Sequence, residues 1–110
     1  MPLVTALNLR RQDRLADIEK ALREALVSLP ELQIKEQEVV LAPVLAPDGF
    51  HEPVARINVD LWVHPARTKD ALQELATRVA RAFQRVAGSE RRVTVVVRPY
   101  DPGAAGWVSL

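Results

Sequence analysis

The sequence predicts an α+β domain in which four strands form one mixed sheet and two helices cover one face of it. Three observations support this fold class. Two stretches repeat apolar residues at intervals of three and four, four short stretches have strand character, and a shift of 57 residues lays the second half of the pattern on the first. We therefore assign the 110 residues to one domain built from two β-α-β repeats, about 1–52 and 53–110.

The first repeat opens with a predicted strand over Leu3–Leu9. A helix is predicted to begin near Asp13 and to end at Pro30, because proline disfavours helical backbone before it and lacks an N–H. A second strand is predicted over Glu38–Leu41, and the proline-rich stretch Ala42–Pro53 is predicted to be a loop. The apolar face of the helix comprises Leu15, Ile18, Leu22, Ala25, Leu26 and Leu29.

The second repeat has the same order of elements. A strand is predicted over Arg56–Val63, followed by a helix with Thr68 as its N-cap and Gly88 at its C-terminal end. The last strand is predicted over Val93–Val97, a stretch rich in β-branched residues. The apolar positions of this helix each lie 57 residues after one in the first: Leu72, Leu75, Val79, Ala82, Phe83 and Val86.

Composition excludes several classes of site. The chain has no cysteine, so it has neither disulfides nor thiolate metal ligands. His51 and His64 show no paired ligand spacing, and we expect no metal and no cofactor. A net charge of +1 gives no argument for a polyanionic partner, and the Arg78–Arg81–Arg85 stripe favours a solvated helix face over nucleic-acid binding.

No apolar run approaches the roughly 18 residues of a membrane span, and the N-terminus lacks the pattern of a signal peptide. The sequence therefore predicts a soluble cytoplasmic protein that does not bind membranes. With both helices on one face of the sheet, the other face has nothing from the chain to cover it. We expect copies of the protein to bury that face.

The Met1-Pro2 start and the doubled β-α-β plan together resemble the tautomerase superfamily, which includes 4-oxalocrotonate tautomerase and macrophage migration inhibitory factor. The Leu61-Trp62 pair is similar to an uncharacterised bacterial branch. Other short motifs resemble the inhibitory-factor branch: Glu52-Pro53, Tyr100-Asp101, Ala104-Ala105 and Gly106-Trp107. The resemblance implies a homotrimer and a catalytic N-terminal proline, exposed by removal of Met1. While Met1 is attached, the Pro2 nitrogen is an amide without a usable lone pair.

A free Pro2 would be a rigid secondary amine. Desolvation and nearby cations disfavour its charged form, which suits it to take a proton from a carbon beside a carbonyl and return it elsewhere. The resulting enolate needs fixed donors, and the planar fork of arginine suits a substrate carboxylate. The predicted function is therefore keto–enol tautomerisation of a small carboxylate-bearing substrate.

Substrate-binding candidates follow from the same comparison. Arg98 is predicted to end the fourth strand, where the inhibitory-factor branch has a neutral pocket amide, although a solvated arginine fits equally well there. Trp62 aligns with an apolar pocket residue and would serve as a lid, or would simply pack in the core or trimer. The remaining candidates are Arg10 and Arg11 after the first strand, their second-repeat counterpart Arg67, Arg56 at the start of the third strand, and Lys35.

Two features of the inhibitory-factor pocket are missing. Its lysine aligns with Leu32, three positions before Lys35, and its tyrosine aligns with Val96. These departures favour a second hypothesis, a ligand-binding or structural trimer in which Pro2 is chemically idle. A third hypothesis is a ferredoxin-like regulatory domain, which has the same order of elements but an antiparallel sheet.

Overall fold

The computed structural model describes residues 2–47 and 54–110, so Met1, His51 and the Glu52-Pro53 motif lie outside the described residues. No helix in the described ranges combines the length and apolar character that a membrane span requires. The elements are β1 (Leu3–Leu9), α1 (Leu15–Leu26), two 3-10 turns (Pro30–Leu32 and Glu36–Glu38), β2 (Val40–Leu45), β3 (Val54–Trp62), α2 (Lys69–Ala87) and β4 (Arg92–Tyr100).

The strands form one sheet in the order β2-β1-β3-β4. β1 pairs with β2 in parallel, and so does β3 with β4, whereas the central pair β1 and β3 is antiparallel. The predicted four-stranded mixed sheet is thereby confirmed. The antiparallel sheet of the ferredoxin-like hypothesis is wrong for this chain, because each outer strand runs parallel to its neighbour.

The ends of the two helices show which boundaries the local sequence predicts correctly. Thr68 is the N-cap of α2, its hydroxyl accepting the Ala71 N–H at 3.2 Å, and Gly88 ends the helix with a φ of 118°. The predicted start of α1, at Asp13 or a nearby polar residue, agrees with Arg14 as its N-cap residue, whereas the predicted end at Pro30 was wrong. The helix begins at Leu15 because Asp13 bonds within the preceding turn, and it ends at Leu26 because both the N–H and the hydroxyl of Ser28 bond to the Ala25 carbonyl.

Strand boundaries differed most at the sheet edges. β2 runs over Val40–Leu45 rather than Glu38–Leu41, and β4 runs over Arg92–Tyr100 rather than Val93–Val97. Both strands continue through a proline, Pro43 and Pro99, because an edge strand has one row of N–H groups that need not pair within the sheet. β3 begins at Val54, two residues before the predicted start.

One buried cluster joins the two helices to alternate residues of the central strands. Its largest members from α1 and α2 include Leu22, Leu26, Leu75 and Phe83. On the sheet side it contains Val4, Ala6, Leu9, Ala55, Ile57, Val59 and Leu61.

The intervening residues lie on the other side, which we call the open face. Its exposed apolar members include Leu3, Val40 and Val44, at 39%, 43% and 44% exposure. The described part of the chain therefore leaves an apolar sheet surface in contact with solvent, as the sequence predicted.

Candidate active site

The sheet has two chemically different ends. At the Pro2 end, β1 and β2 begin while β3 and β4 finish, since the central pair is antiparallel. At the opposite end, β1 finishes and is followed by Arg10 and Arg11. With a rise of about 3.3 Å per residue, β1 separates the two ends by roughly 23 Å.

Pro2 is buried at the start of β1. Its carbonyl accepts the Val40 N–H at 3.0 Å, which ties it to the start of β2. Extending the antiparallel register by one residue from the Leu3–Asp60 pair places it opposite Leu61, a fully buried side chain. Pro2 is therefore shielded from water and lies beside a buried apolar residue of β3.

Arg67 lies in the connection between β3 and α2, also at the Pro2 end. Its Nε donates to the Leu32 carbonyl at 3.0 Å, and its Nη1 donates to the Trp62 carbonyl at 2.6 Å. Leu32 belongs to the 3-10 turn that follows α1, and Trp62 ends β3. The guanidinium thus ties that turn to the end of β3, at the end of the sheet where β1 begins.

The electrostatics of Arg67 suit a fixed cation. Burial lowers the pKa of its guanidinium, and the nearby charge of Glu38 partly offsets that effect. An arginine starts from so high a value that the group stays protonated. Two backbone bonds hold it while most of its N–H donors have no protein partner among the described contacts, so the donors remain available to an anion.

The loop that carries Arg67 is itself ordered by hydrogen bonds. The Arg67 N–H donates to the His64 carbonyl at 2.9 Å, and the Ala66 N–H donates to His64 Nδ1 at 3.0 Å. Arg67 also lines a cleft of about 520 Å³ between α2 and the edge strand β4, whose walls include Gln73, Val97 and Pro99.

Three aromatic side chains meet beside this loop. The Trp62 indole N–H donates to the Tyr100 hydroxyl at 2.6 Å, and the Trp62 and Trp107 rings lie 5.8 Å apart with a tilt of 48°. Trp62 and Tyr100 are 36% and 41% exposed. They form a partly open aromatic wall at the Pro2 end, next to the carbonyl that anchors Arg67.

Arg98 differs from its predicted arrangement. It lies within β4 rather than at its end, on the open face, and its fork binds Asp60 through Nε at 2.7 Å and Nη2 at 3.0 Å. The hydrogen bonds with Asp60, followed by the opposite charge, raise the pKa of Arg98. The bidentate fork that would hold a substrate carboxylate is already occupied within the chain.

The other predicted site residues are dispersed. Arg10, Arg11 and Arg56 lie toward the opposite end, where the Arg56 Nε donates to Asn58 Oδ1 at 3.1 Å. Lys35 is exposed and precedes the 3-10 turn that leads into β2. Of the residues proposed from sequence, Pro2, Trp62 and Arg67 therefore lie at the same end of the sheet. Lys35 lies in the segment that leads to the start of β2, which is at that end as well.

The sequence does not distinguish Arg67 from Arg10, its counterpart 57 residues earlier. The repeat indicates only that each of these arginines follows a strand. The contact with the Leu32 carbonyl spans 35 residues of sequence and has no local signal. Glu38, whose charge acts on Arg67, was predicted only as the start of a strand.

The strand order and the pairing directions, with two helices against one face, are those of the tautomerase fold. Structural neighbours along the whole chain are members of the tautomerase superfamily, at low sequence identity. No family model and no curated protein sequence matches the chain.

Three solved structures illustrate the likeness. FG41 malonate semialdehyde decarboxylase inhibited by 3-bromopropiolate has a TM-score of 0.67 and 16% identity, covering 99% of this chain and 89% of its own. A fused 4-OT wild type symmetric trimer has a TM-score of 0.67 and 21% identity over 96% and 89%. A fused 4-OT wild type asymmetric trimer has a TM-score of 0.77 and 16% identity over 96% and 91%. Two of these neighbours are thus trimers of the same fold.

Proposed function

We propose that this protein is a tautomerase-like enzyme that moves a proton between the keto and enol forms of a small carboxylate-bearing substrate. Pro2 would act as the acid–base once Met1 has been removed. The observation that carries the proposal is the position of Arg67, a cation with available donors that the Leu32 and Trp62 carbonyls hold at the end of the sheet where Pro2 begins β1. The buried position of Pro2 supports it further.

Tautomerisation needs two groups at this site, one that transfers a proton and one that stabilises the enolate. The Pro2 amine takes a proton from the carbon beside the substrate carbonyl, and the electron pair of that C–H bond moves into the enolate. The N–H donors of Arg67 stabilise the negative charge, after which Pro2 returns the proton to a different atom of the substrate. Burial and the neighbouring cation both favour the neutral amine, the form that can accept the proton.

Arg67 also accounts for a departure from the inhibitory-factor branch. That branch has its pocket lysine at the position of Leu32, and here Arg67 bonds to the Leu32 carbonyl. A cation from the second repeat would therefore act where the first repeat lacks one. Trp62 would form the aromatic wall of the same site, and Lys35 would add a positive charge at its rim.

The complete site would include a second copy of the chain. Arg10 and Arg11 are too far from Pro2 to act with it in one protomer, whereas a neighbouring protomer can place them there. The apolar open face supports such an assembly. By likeness to the fused 4-OT trimers, we propose a homotrimer.

A second candidate reaction is addition of water, or loss of carbon dioxide, at the same site. Glu38 favours it, because its charge acts on Arg67 and an exposed carboxylate can take a proton from water. One neighbour is named a decarboxylase. In the addition of water, Glu38 would take a proton from the water as its oxygen bonds to one carbon of the substrate double bond, Arg67 would stabilise the resulting enolate, and protonated Pro2 would supply the proton to the other carbon. In the loss of carbon dioxide no water is consumed: the electron pair of the broken C–C bond would enter an enolate stabilised by Arg67, and Pro2 would protonate it.

The test is ketonisation of an aryl enolpyruvate by untagged protein whose loss of Met1 is verified by mass. Pro2→Ala should abolish turnover. Arg67→Gln should lower kcat/KM by about a hundredfold, as expected when a fixed charge-assisted donor to an oxyanion is lost. The matched control is Arg78→Gln, which removes one cation from the helix surface, where Arg78 binds Glu74 and Ser28.

Three outcomes decide between the candidates. Loss of turnover in Pro2→Ala, with turnover retained in Arg78→Gln, supports Pro2 as the acid–base. A separate assay supplies an α,β-unsaturated carboxylate, and its conversion to a hydrated product that is lost in Glu38→Gln supports the addition of water. No turnover by protein that has lost Met1 contradicts both and leaves the idle binding trimer.

A further inference from the structure

We propose that Asp13 and Arg91 are positioning residues for the arginine turn, residues 10–13. They would hold Arg10 in the orientation that presents its guanidinium to the substrate carboxylate in the site of a second copy. This inference rests on the proposed function. It assigns a role to a buried ion pair that the chemistry at Pro2 does not use.

The turn is closed by Asp13 from two sides. Asp13 Oδ2 accepts the Arg10 N–H at 2.6 Å, and the Asp13 N–H donates to the Arg10 carbonyl at 3.0 Å. Both peptide groups flanking the Arg10 Cα are therefore fixed while the residue itself stays exposed. The direction in which Arg10 leaves the backbone is set by the position of one carboxylate.

Arg91 fixes that carboxylate. It lies between α2 and β4, and its Nη1 donates to Asp13 Oδ1 at 2.5 Å across 78 residues of sequence. The two side chains are only 6% and 5% exposed. The guanidinium also lies over the Phe83 ring at 5.4 Å, and Gln84 Nε2 donates to the Arg91 carbonyl at 2.8 Å. The second repeat thereby anchors the turn of the first.

Stability alone is a poor explanation for this pair. Burying two charges costs desolvation energy, and apolar side chains of similar volume are often as stable or more so. In addition, the Arg91 Nε is buried without a hydrogen-bond partner, which is a further cost. The arrangement is also specific to the first repeat, since Asp70, the counterpart of Asp13, is exposed in the first turn of α2.

The expected consequence is a selective effect on substrate binding. Asp13→Asn keeps the size of the side chain and removes its charge, so the turn should lose its fixed orientation without creating a cavity. Because Arg10 would contact only the bound carboxylate, KM for the enol acid should rise about tenfold while kcat changes less than about twofold, the loss of roughly one charge-assisted bond. Asp17→Asn is the matched control, since Asp17 pairs with Arg14 on the surface nearby at 3.5 Å.

A double variant separates positioning from folding. If Asp13 acts through Arg10, then adding Arg10→Gln to Asp13→Asn should raise KM no further than Arg10→Gln alone. A merely structural pair would lower the melting temperature and leave KM unchanged. Should Asp13→Asn fail to fold, Arg91→Lys keeps the buried positive charge but loses the arginine fork, and the same rise in KM is expected.

The outcomes distinguish this inference from the proposed function. Turnover by the wild-type protein with an unchanged KM in both Asp13→Asn and Arg91→Lys overturns the inference and leaves the proposed function intact. Additive effects of the Asp13 and Arg10 substitutions overturn it as well. Absence of turnover in wild-type protein lacking Met1 overturns the proposed function, and the positioning role is then rejected with it.

Discussion

Arg67 and Arg98 show how the contacts of an arginine decide its chemistry. Arg98 meets a carboxylate, Asp60, and its charge is neutralised locally. Arg67 meets two backbone carbonyls, which orient the guanidinium without cancelling its full positive charge. Of the two, Arg67 is therefore the one that we propose lowers the proton affinity of the Pro2 amine.

A pH profile measures that influence. The Arg67 guanidinium itself does not titrate near neutrality. Its lowered pKa means that the cost of burying the charge persists at every lower pH and is relieved only as the pH rises through that value. The rising limb of kcat/KM should instead report Pro2. Arg67→Gln should move that limb to higher pH by about half to one unit, because loss of a cation raises the pKa of an amine.

The control for this profile is Arg67→Lys, which keeps a positive charge in the loop and should leave the limb close to its wild-type position. A limb that stays in place in Arg67→Gln would show that the guanidinium does not act on the titrating group. The profile needs only relative rates, measured with a substrate that does not itself titrate in the same pH range.

At the level of single residues, the sequence predicted what local chemistry decides. Thr68 as an N-cap and Gly88 as a helix end follow from their own conformational and hydrogen-bonding preferences. The choice between Arg67 and Arg98 depends on partners 35 and 38 residues away. No pattern within a repeat contains that information, so the sequence favoured Arg98 over Arg67.

The two helices begin differently although their apolar faces share one register. Thr68 Oγ1 accepts the Ala71 N–H at the start of α2, whereas Arg14, the N-cap residue of α1, makes no side-chain capping bond. In the first repeat the nearby Asp13 side chain is engaged by Arg10 and Arg91 instead. The first helix therefore starts three positions later than the 57-residue repeat would place it.

Removing the cap of α2 should have a measurable cost. Thr68→Ala deletes the oxygen that bonds to the Ala71 N–H, and the free energy of unfolding should fall by about 1 kcal/mol. Urea denaturation monitored by circular dichroism measures the change. Thr68→Ser keeps the oxygen and should retain most of the stability. Equal destabilisation by both substitutions would assign the effect to the Thr68 methyl group rather than to the cap.

Strand lengths were predicted less well than helix faces, for a physical reason. Proline usually interrupts a strand because it lacks an N–H, and both predicted strands therefore ended before Pro43 and Pro99. Whether a proline is tolerated depends on which strands are at the edges, and β2 and β4 occupy both edges here. The strand order is a property of the whole sheet and is not encoded in either segment alone.

The open face dominates the behaviour of the whole molecule. Leu3, Val40 and Val44 are each about two-fifths exposed, and they lie on adjacent strands β1 and β2. In the proposed function, a second copy of the chain supplies Arg10 to the site. The same assembly would therefore bury the apolar surface and complete the chemistry.

Placing a charge on that face should dissociate the oligomer. Val44→Glu would bury a carboxylate without a partner in the proposed trimer, a cost of several kcal/mol per site. Light scattering after size-exclusion chromatography should show a trimer for the wild type and smaller species for the variant, with turnover lost in parallel. Lys20→Glu places a carboxylate on the exposed surface of α1, away from the candidate site, and should remain trimeric. A wild-type monomer would contradict the proposed assembly directly.

The central antiparallel pair also affects how the chain folds during its synthesis. β1 is complete early in synthesis, yet its partner β3 ends only at Trp62. At typical translation rates the first β-α-β unit waits about one to three seconds after β2 before that partner is finished. During this interval the inner edge of β1 carries unpaired backbone groups that can pair with another nascent chain. Crowded translation on one messenger should thus favour swapped pairing between neighbouring chains, in which β3 of one chain completes the sheet of the other.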